Sequence, residues 1–105
     1  MTITVVNKYK PTGNTAAIVI YCGRGSALGN PFALENPILR NIVCDRYHKW
    51  FHEHIVTASP KAVKMREQVL DIMAAAVAGD VELQCYCAPK RCHCETIKEH
   101  VESLL

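Results

Sequence analysis

A chain of 105 residues, half of them apolar and 21% charged, has room for one domain (1–105) with one core, and its composition excludes disorder. The formal charge of +2 is too small to argue for nucleic acid on its own, and no run of about 18 apolar residues offers a membrane span. The start does not resemble a secretory signal, so the six cysteines point to a reducing, cytoplasmic setting rather than to disulfides.

In chain order, Ile3–Val6 is a β-branched run that stops at Asn7-Lys8, which predicts a short strand. Lys10-Pro11-Thr12-Gly13-Asn14 is turn chemistry. Ala16–Cys22 is a continuous apolar run, as expected of a strand buried on both faces. Gly23–Ser26 ends it, and a structured loop follows to Asn36. Asn36-Pro37 and Ser59-Pro60 are helix starts, each a capping residue before a proline. The first helix carries Ile38, Leu39, Ile42, Val43, Tyr47, Trp50, Phe51 and Ile55 at helical spacing, with Arg40 read onto its polar side. The second runs to about Ala78, with Val63, Val69, Leu70, Ile72, Met73 and Val77 as core candidates. Val81–Cys87 predicts a third strand, and a last helix starts near Cys92–Glu95.

The order β-β-α-α-β-α predicts an α/β domain: a small Rossmann-like, three-stranded, mainly parallel sheet packed by three helices, with strands 2 and 3 central. In such sheets ligands bind beyond the carboxyl ends of the strands. Strand 2 ends at Cys22-Gly23 and strand 3 at Cys85–Cys87, so both conspicuous motifs are expected on one rim.

The first motif, Gly23-Arg24-Gly25-Ser26 with Gly29-Asn30-Pro31-Phe32, combines close-approaching backbone with one guanidinium, as an anion site needs. It equally suits a turn whose arginine caps a neighbouring group. The second, Cys85-Tyr86-Cys87-Ala88-Pro89-Lys90-Arg91-Cys92-His93-Cys94, has three readings. Cys85, Cys87, Cys92 and Cys94 could hold zinc. Cys92 and His93 could open a helix whose N-terminus favours anions or a reactive thiolate. Or the cysteines are small core residues. His48 and His52 have metal spacing but lie on a polar face, and Cys44 reads as packing.

These motifs together resemble Domain of Unknown Function 4326, a family of small proteins from bacteria and phages. The resemblance rests on Val5-Val6-Asn7, Val19–Ser26, Gly29–Phe32, Arg46-Tyr47 with Trp50, and Cys-aromatic-Cys-x-Pro ahead of Cys92-His93. It implies a small Rossmann-like nucleotide-binding look but no activity. The family usually has Gly-Asp after the Cys-His pair, where this chain has Cys94-Glu95.

The leading expectation is a pocket for a small phosphorylated or nucleotide-like molecule, serving phage nucleotide metabolism or sequestering a host defence signal in the host cytoplasm. Its contacts would be Asn7, Gly23, Arg24, Gly25, Ser26, Asn30, Cys87, Cys92 and His93. The rivals are an enzyme using Cys92 or Cys87 with His93, those two neighbours being expected to point apart, and a structural zinc domain on Cys85, Cys87, Cys92 and Cys94. No other cofactor is expected. A homodimer is compatible with the sequence, although no motif specifies one.

Overall fold

The computed structural model describes residues 2–10 and 12–105; Met1 and the proline of the expected Lys10–Asn14 turn lie outside the described residues. Three strands, β1 (Ile3–Asn7), β2 (Ile18–Tyr21) and β3 (Val81–Cys85), form one sheet in the order β1-β3-β2. Both pairings are parallel, with Ile3 and Ile18 each opposite Val81. A 3-10 turn (Pro37–Leu39) leads into α1 (Arg40–His54), followed by α2 (Pro60–Ala78) and, after β3, α3 (Cys94–Leu104). The fold is therefore α/β, as expected.

The helix starts follow from local chemistry. The Asn36 side chain accepts from the Ile38 N–H and the Ser59 hydroxyl from the Ala62 N–H, satisfying amides that no earlier turn can reach. Asn36 caps the 3-10 turn rather than α1 itself, which begins four residues later.

The core lies on one face of the sheet. Ile3, Val81, Leu83 and Cys85 pack with Tyr47 and Phe51 of α1, Met65, Val69 and Ile72 of α2, and Ile97 and Val101 of α3. The chain between β1 and β2 returns across the opposite face, where the Thr12 hydroxyl donates to the buried Glu82 carboxylate and the Asn14 amide to Asp80 (3.2 Å). A loop, not a helix, covers that face, and the domain has two layers.

This arrangement corrects several expectations. Only β3 is central; β2 is an edge strand of four residues, and its Ile18 and Val19 are half exposed, not buried on both faces. β3 stops at Cys85, so Cys87 lies past the ladder. Ile38, Leu39 and Ile42, at the start of the first helical segment, are exposed and outside the core, and Val63, Leu70 and Val77 sit on the outer side of α2. Among the described residues no helix is long and apolar enough to cross a membrane.

Candidate functional site

β2 and β3 end side by side, the Cys22 N–H continuing the ladder to Gln84 O at 2.9 Å. Beyond β2 the chain folds tightly on itself. A Cβ at Gly29 would stand 2.5 Å from the Gly23 carbonyl oxygen, a contact only glycine permits. Arg24 closes this turn: Nη1 donates to Asn30 O (2.7 Å) and Nη2 to Phe32 O (2.8 Å). Its fork grips loop carbonyls, a structural use beside whatever charge it lends a ligand. The Ser26 hydroxyl donates to Gly23 O (2.7 Å), and the Asn30 side-chain oxygen accepts from Phe32 N (2.9 Å). The Asn30 Nδ2 makes no hydrogen bond among the described residues.

Beyond β3, the Asn7 amide donates to Tyr86 O (3.1 Å) and Ala88 O (3.0 Å) while its oxygen accepts from Tyr9 N. Asn7 thus holds the cysteine-bearing segment against the end of β1. The segment then passes to His93, whose Nε2 donates to the Cys22 carbonyl at 2.6 Å. That bond fixes the tautomer and leaves Nδ1 as an acceptor, 3.4 Å from Cys92 Sγ. Adjacent Cys92 and His93 were expected to point apart, and the structure brings them within contact. Burial pushes the His93 pKa below the ordinary imidazole value, so the ring is held neutral.

The Sγ atoms of Cys85, Cys92 and Cys94 all lie within 4.8 Å of one another, and all three residues are buried. Cys87 is half-buried and stands outside this group, so the structure gathers three of the four cysteines suggested for zinc. All six cysteines are free thiols. The Cys85 thiol is pushed well down because the Cys92 and Cys94 S–H groups and the amides of Cys87 and Ala88 point at its sulfur. Cys92 is pushed up because it donates to Cys85, and Cys94 because it donates to Cys22 and Cys85; burial adds to both. A buried thiol held protonated is a poor nucleophile, which counts against Cys92 in that role.

A cleft of about 170 Å³ opens beyond the carboxyl ends of β2 and β3. Gly23, Arg24, Asn30, Cys87, Cys92 and His93 all reach it, so six of the expected contact residues meet at one rim. Three do not line it. Asn7 acts behind the wall, and Gly25 and Ser26 face a separate shallow depression beside Pro60 and Lys61. Cys94 also stays behind the wall, while Cys85 lines it.

Sequence reasoning missed Arg40, Val43 and Cys44 of α1 as part of the wall, to which Arg91 of the cysteine segment also contributes. The signal was available for Arg40. It lies three and four residues before Val43 and Cys44, on their side of the helix, and not on the polar side to which it was assigned. Its Nη1 donates to Arg91 O (3.2 Å), joining α1 to the cysteine segment, and Arg91 in turn pairs with Asp45 at 2.7 Å.

With this geometry in place, the comparisons agree with the motif pattern. The chain belongs to the DUF4326 family (Domain of unknown function), whose model matches residues 5–103. No curated protein matches significantly, and no solved structure does.

Proposed function

We propose that this DUF4326 member binds a small anionic molecule, phosphorylated or nucleotide-like, in the cleft between the Gly23–Phe32 turn and the Cys85–His93 segment. The observation that carries the reading is the sign of the walls. Arg24, Arg40 and Arg91 reach the cleft, and no acidic residue is among the described residues lining it. Cationic side chains around a partly apolar hollow concentrate anions and strengthen each hydrogen bond made to them.

The arginines are not equivalent. Arg24 spends its fork on Asn30 and Phe32, and Arg91 pairs with Asp45, while Arg40 gives a single N–H to a carbonyl. Arg40 therefore has the most donor capacity left for a ligand. Asn30 Nδ2 and neutral His93 Nδ1 add one donor and one acceptor of fixed direction. At about 170 Å³ the hollow is smaller than the roughly 300–1,000 Å³ of a drug-sized site, so it encloses one moiety, a base or a sugar. The anionic group stays at the arginine rim. In a phage-borne protein such a pocket would serve nucleotide metabolism or take up a host nucleotide signal.

Thermal-shift and calorimetric titration with a panel of nucleotides and sugar phosphates at low salt tests the proposal. At least one compound should stabilise the protein, and Arg40→Ala should weaken that compound's binding about tenfold, roughly 1.4 kcal/mol. Silence across the whole panel, or unchanged affinity in Arg40→Ala, would sink it.

The 3.4 Å approach of Cys92 Sγ to His93 Nδ1 favours a second reading, a thiol-dependent enzyme acting on the same ligand. It requires turnover of a panel compound that iodoacetamide abolishes. Binding without turnover leaves the first reading alone.

A further inference from the structure

We infer that Cys85, Cys92 and Cys94 form a metal site for zinc at the base of the cleft. The site goes beyond the anion-binding reading and stands without it.

Three observations converge. First, the end of β3 (Cys85), the segment leading into α3 (Cys92) and the first residue of α3 (Cys94) deliver three sulfur atoms to one point, all within 4.8 Å of one another. Thiolates around tetrahedral zinc, with Zn–S bonds of about 2.3 Å, lie about 3.8 Å apart, so only a small contraction is needed. Second, all three residues are buried, so the sulfurs are held in place by the packed core rather than on a solvated surface. Third, the surroundings suit sulfur carrying negative charge. The Cys87 amide points at Cys85 Sγ from 3.4 Å, and Cys94 opens α3, at whose start the helix dipole favours negative charge. Three thiolates with one divalent ion leave a net charge of −1 at that helix start.

Packing alone explains the set less well. A core position filled by a thiol needs no second thiol beside it, whereas a metal needs several sulfurs converging. On binding, three sulfur–metal bonds form and the thiol protons leave to solvent. Cys85 and Cys92 also line the cleft, so the fourth position opens toward it, the arrangement of a zinc that keeps a water or ligand. Cys87, outside the group, is not a ligand, which distinguishes this site from a four-cysteine cluster.

Metal analysis of the full chain, purified under reducing conditions without chelator, should give close to one zinc per chain. Cobalt(II) added to the metal-free, reduced protein should produce near-ultraviolet sulfur-to-cobalt charge-transfer absorption and tetrahedral visible bands. Cys92→Ser and Cys94→Ser should each lose this spectrum, while Cys87→Ser and Cys44→Ser should keep it. Should the serine variants fail to fold, the wild-type cobalt spectrum decides alone. Absence of both stoichiometric zinc and the cobalt charge-transfer band in reduced wild-type protein overturns the site. Retention of the spectrum in folded Cys94→Ser overturns the ligand set. Neither readout involves an anionic ligand, so the outcome is independent of the proposed function.

Discussion

The Nε2 of His93 donates to the main-chain carbonyl of Cys22 at 2.6 Å, across 71 positions of sequence. This bond ties the start of α3 to the end of β2, and so holds the arginine-bearing turn beside the cysteine-bearing segment. The imidazole also lies edge-on to Tyr47, with ring centroids 5.0 Å apart. Replacing His93 with alanine strands a buried carbonyl, and the expected loss is about 1–3 kcal/mol of stability. His93→Gln retains a donor and should recover part of it. Urea unfolding checks both, and an unchanged midpoint in His93→Ala would show that the bond contributes nothing.

Gln68 is the second tie between distant parts. From α2 its Nε2 donates to Tyr21 O (3.0 Å) and its Oε1 accepts from Leu28 N (3.0 Å). Gln68→Ala leaves both partners short in a part-buried setting, at a cost of about 1–3 kcal/mol. Gln68→Glu should be worse at neutral pH, since it sets a carboxylate against the Tyr21 carbonyl. Melting temperatures that rank wild type above Ala and Ala above Glu are the expected result.

Two glycines make a contrast. At Gly29 an added Cβ meets the Gly23 carbonyl oxygen at 2.5 Å and the Arg24 Cα at 3.2 Å, both backbone atoms that cannot swing away. Gly29→Ala should therefore cost about 1–3 kcal/mol and distort the turn that carries Arg24. At Gly79 nothing lies within 4 Å and φ is 167°, extended backbone that any residue adopts. Gly79→Ala should stay within about 0.5 kcal/mol of wild type. Equal effects in the two variants would contradict the tight turn.

His48, His52 and His100 form a chain of rings, 4.6 Å and then 5.7 Å between centroids. Burial, then the charge of His48, holds His52 below its ordinary pKa of 6.5, with Glu99 pulling the other way. Burial, then His52, does the same to His100. The unfolded chain then binds more protons than the folded one just below pH 6.5. Stability is complete above that value and declines as pH falls through it. Urea midpoints should be level between about pH 7 and 8 and fall toward about pH 5, less steeply in His100→Gln. An identical slope in wild type and His100→Gln would exclude this cluster as the cause.

Local chemistry in the chain was sufficient for the order β-β-α-α-β-α, for the capping roles of Asn36 and Ser59, and for placing both motifs at strand ends. Caps, turn residues and hydrophobic spacing act over a few residues, and a single sequence displays them directly. Sidedness was less legible. The run Ile18–Tyr21 reads the same whether a helix or a loop covers its second face, and here an edge position leaves Ile18 and Val19 half exposed. Periodicity marks which residues share a helical face, but not which of them another element covers, so Ile38 and Ile42 share the spacing of Tyr47 and Phe51 yet stay exposed.

By itself the sequence determined that an arginine-bearing turn and a thiol-bearing segment exist, that each follows a strand, and that parallel strands would aim them at a common rim. Tertiary structure alone decided which atoms meet there. It directs Asn7 to the main chain, Ser26 away from the cleft, Arg40 into it, and three of six sulfurs to one point. The reason is physical: a contact such as His93 with Cys22 depends on strand register and on the helix packed above it. Both are set by the whole core at once, and no local run of residues encodes them.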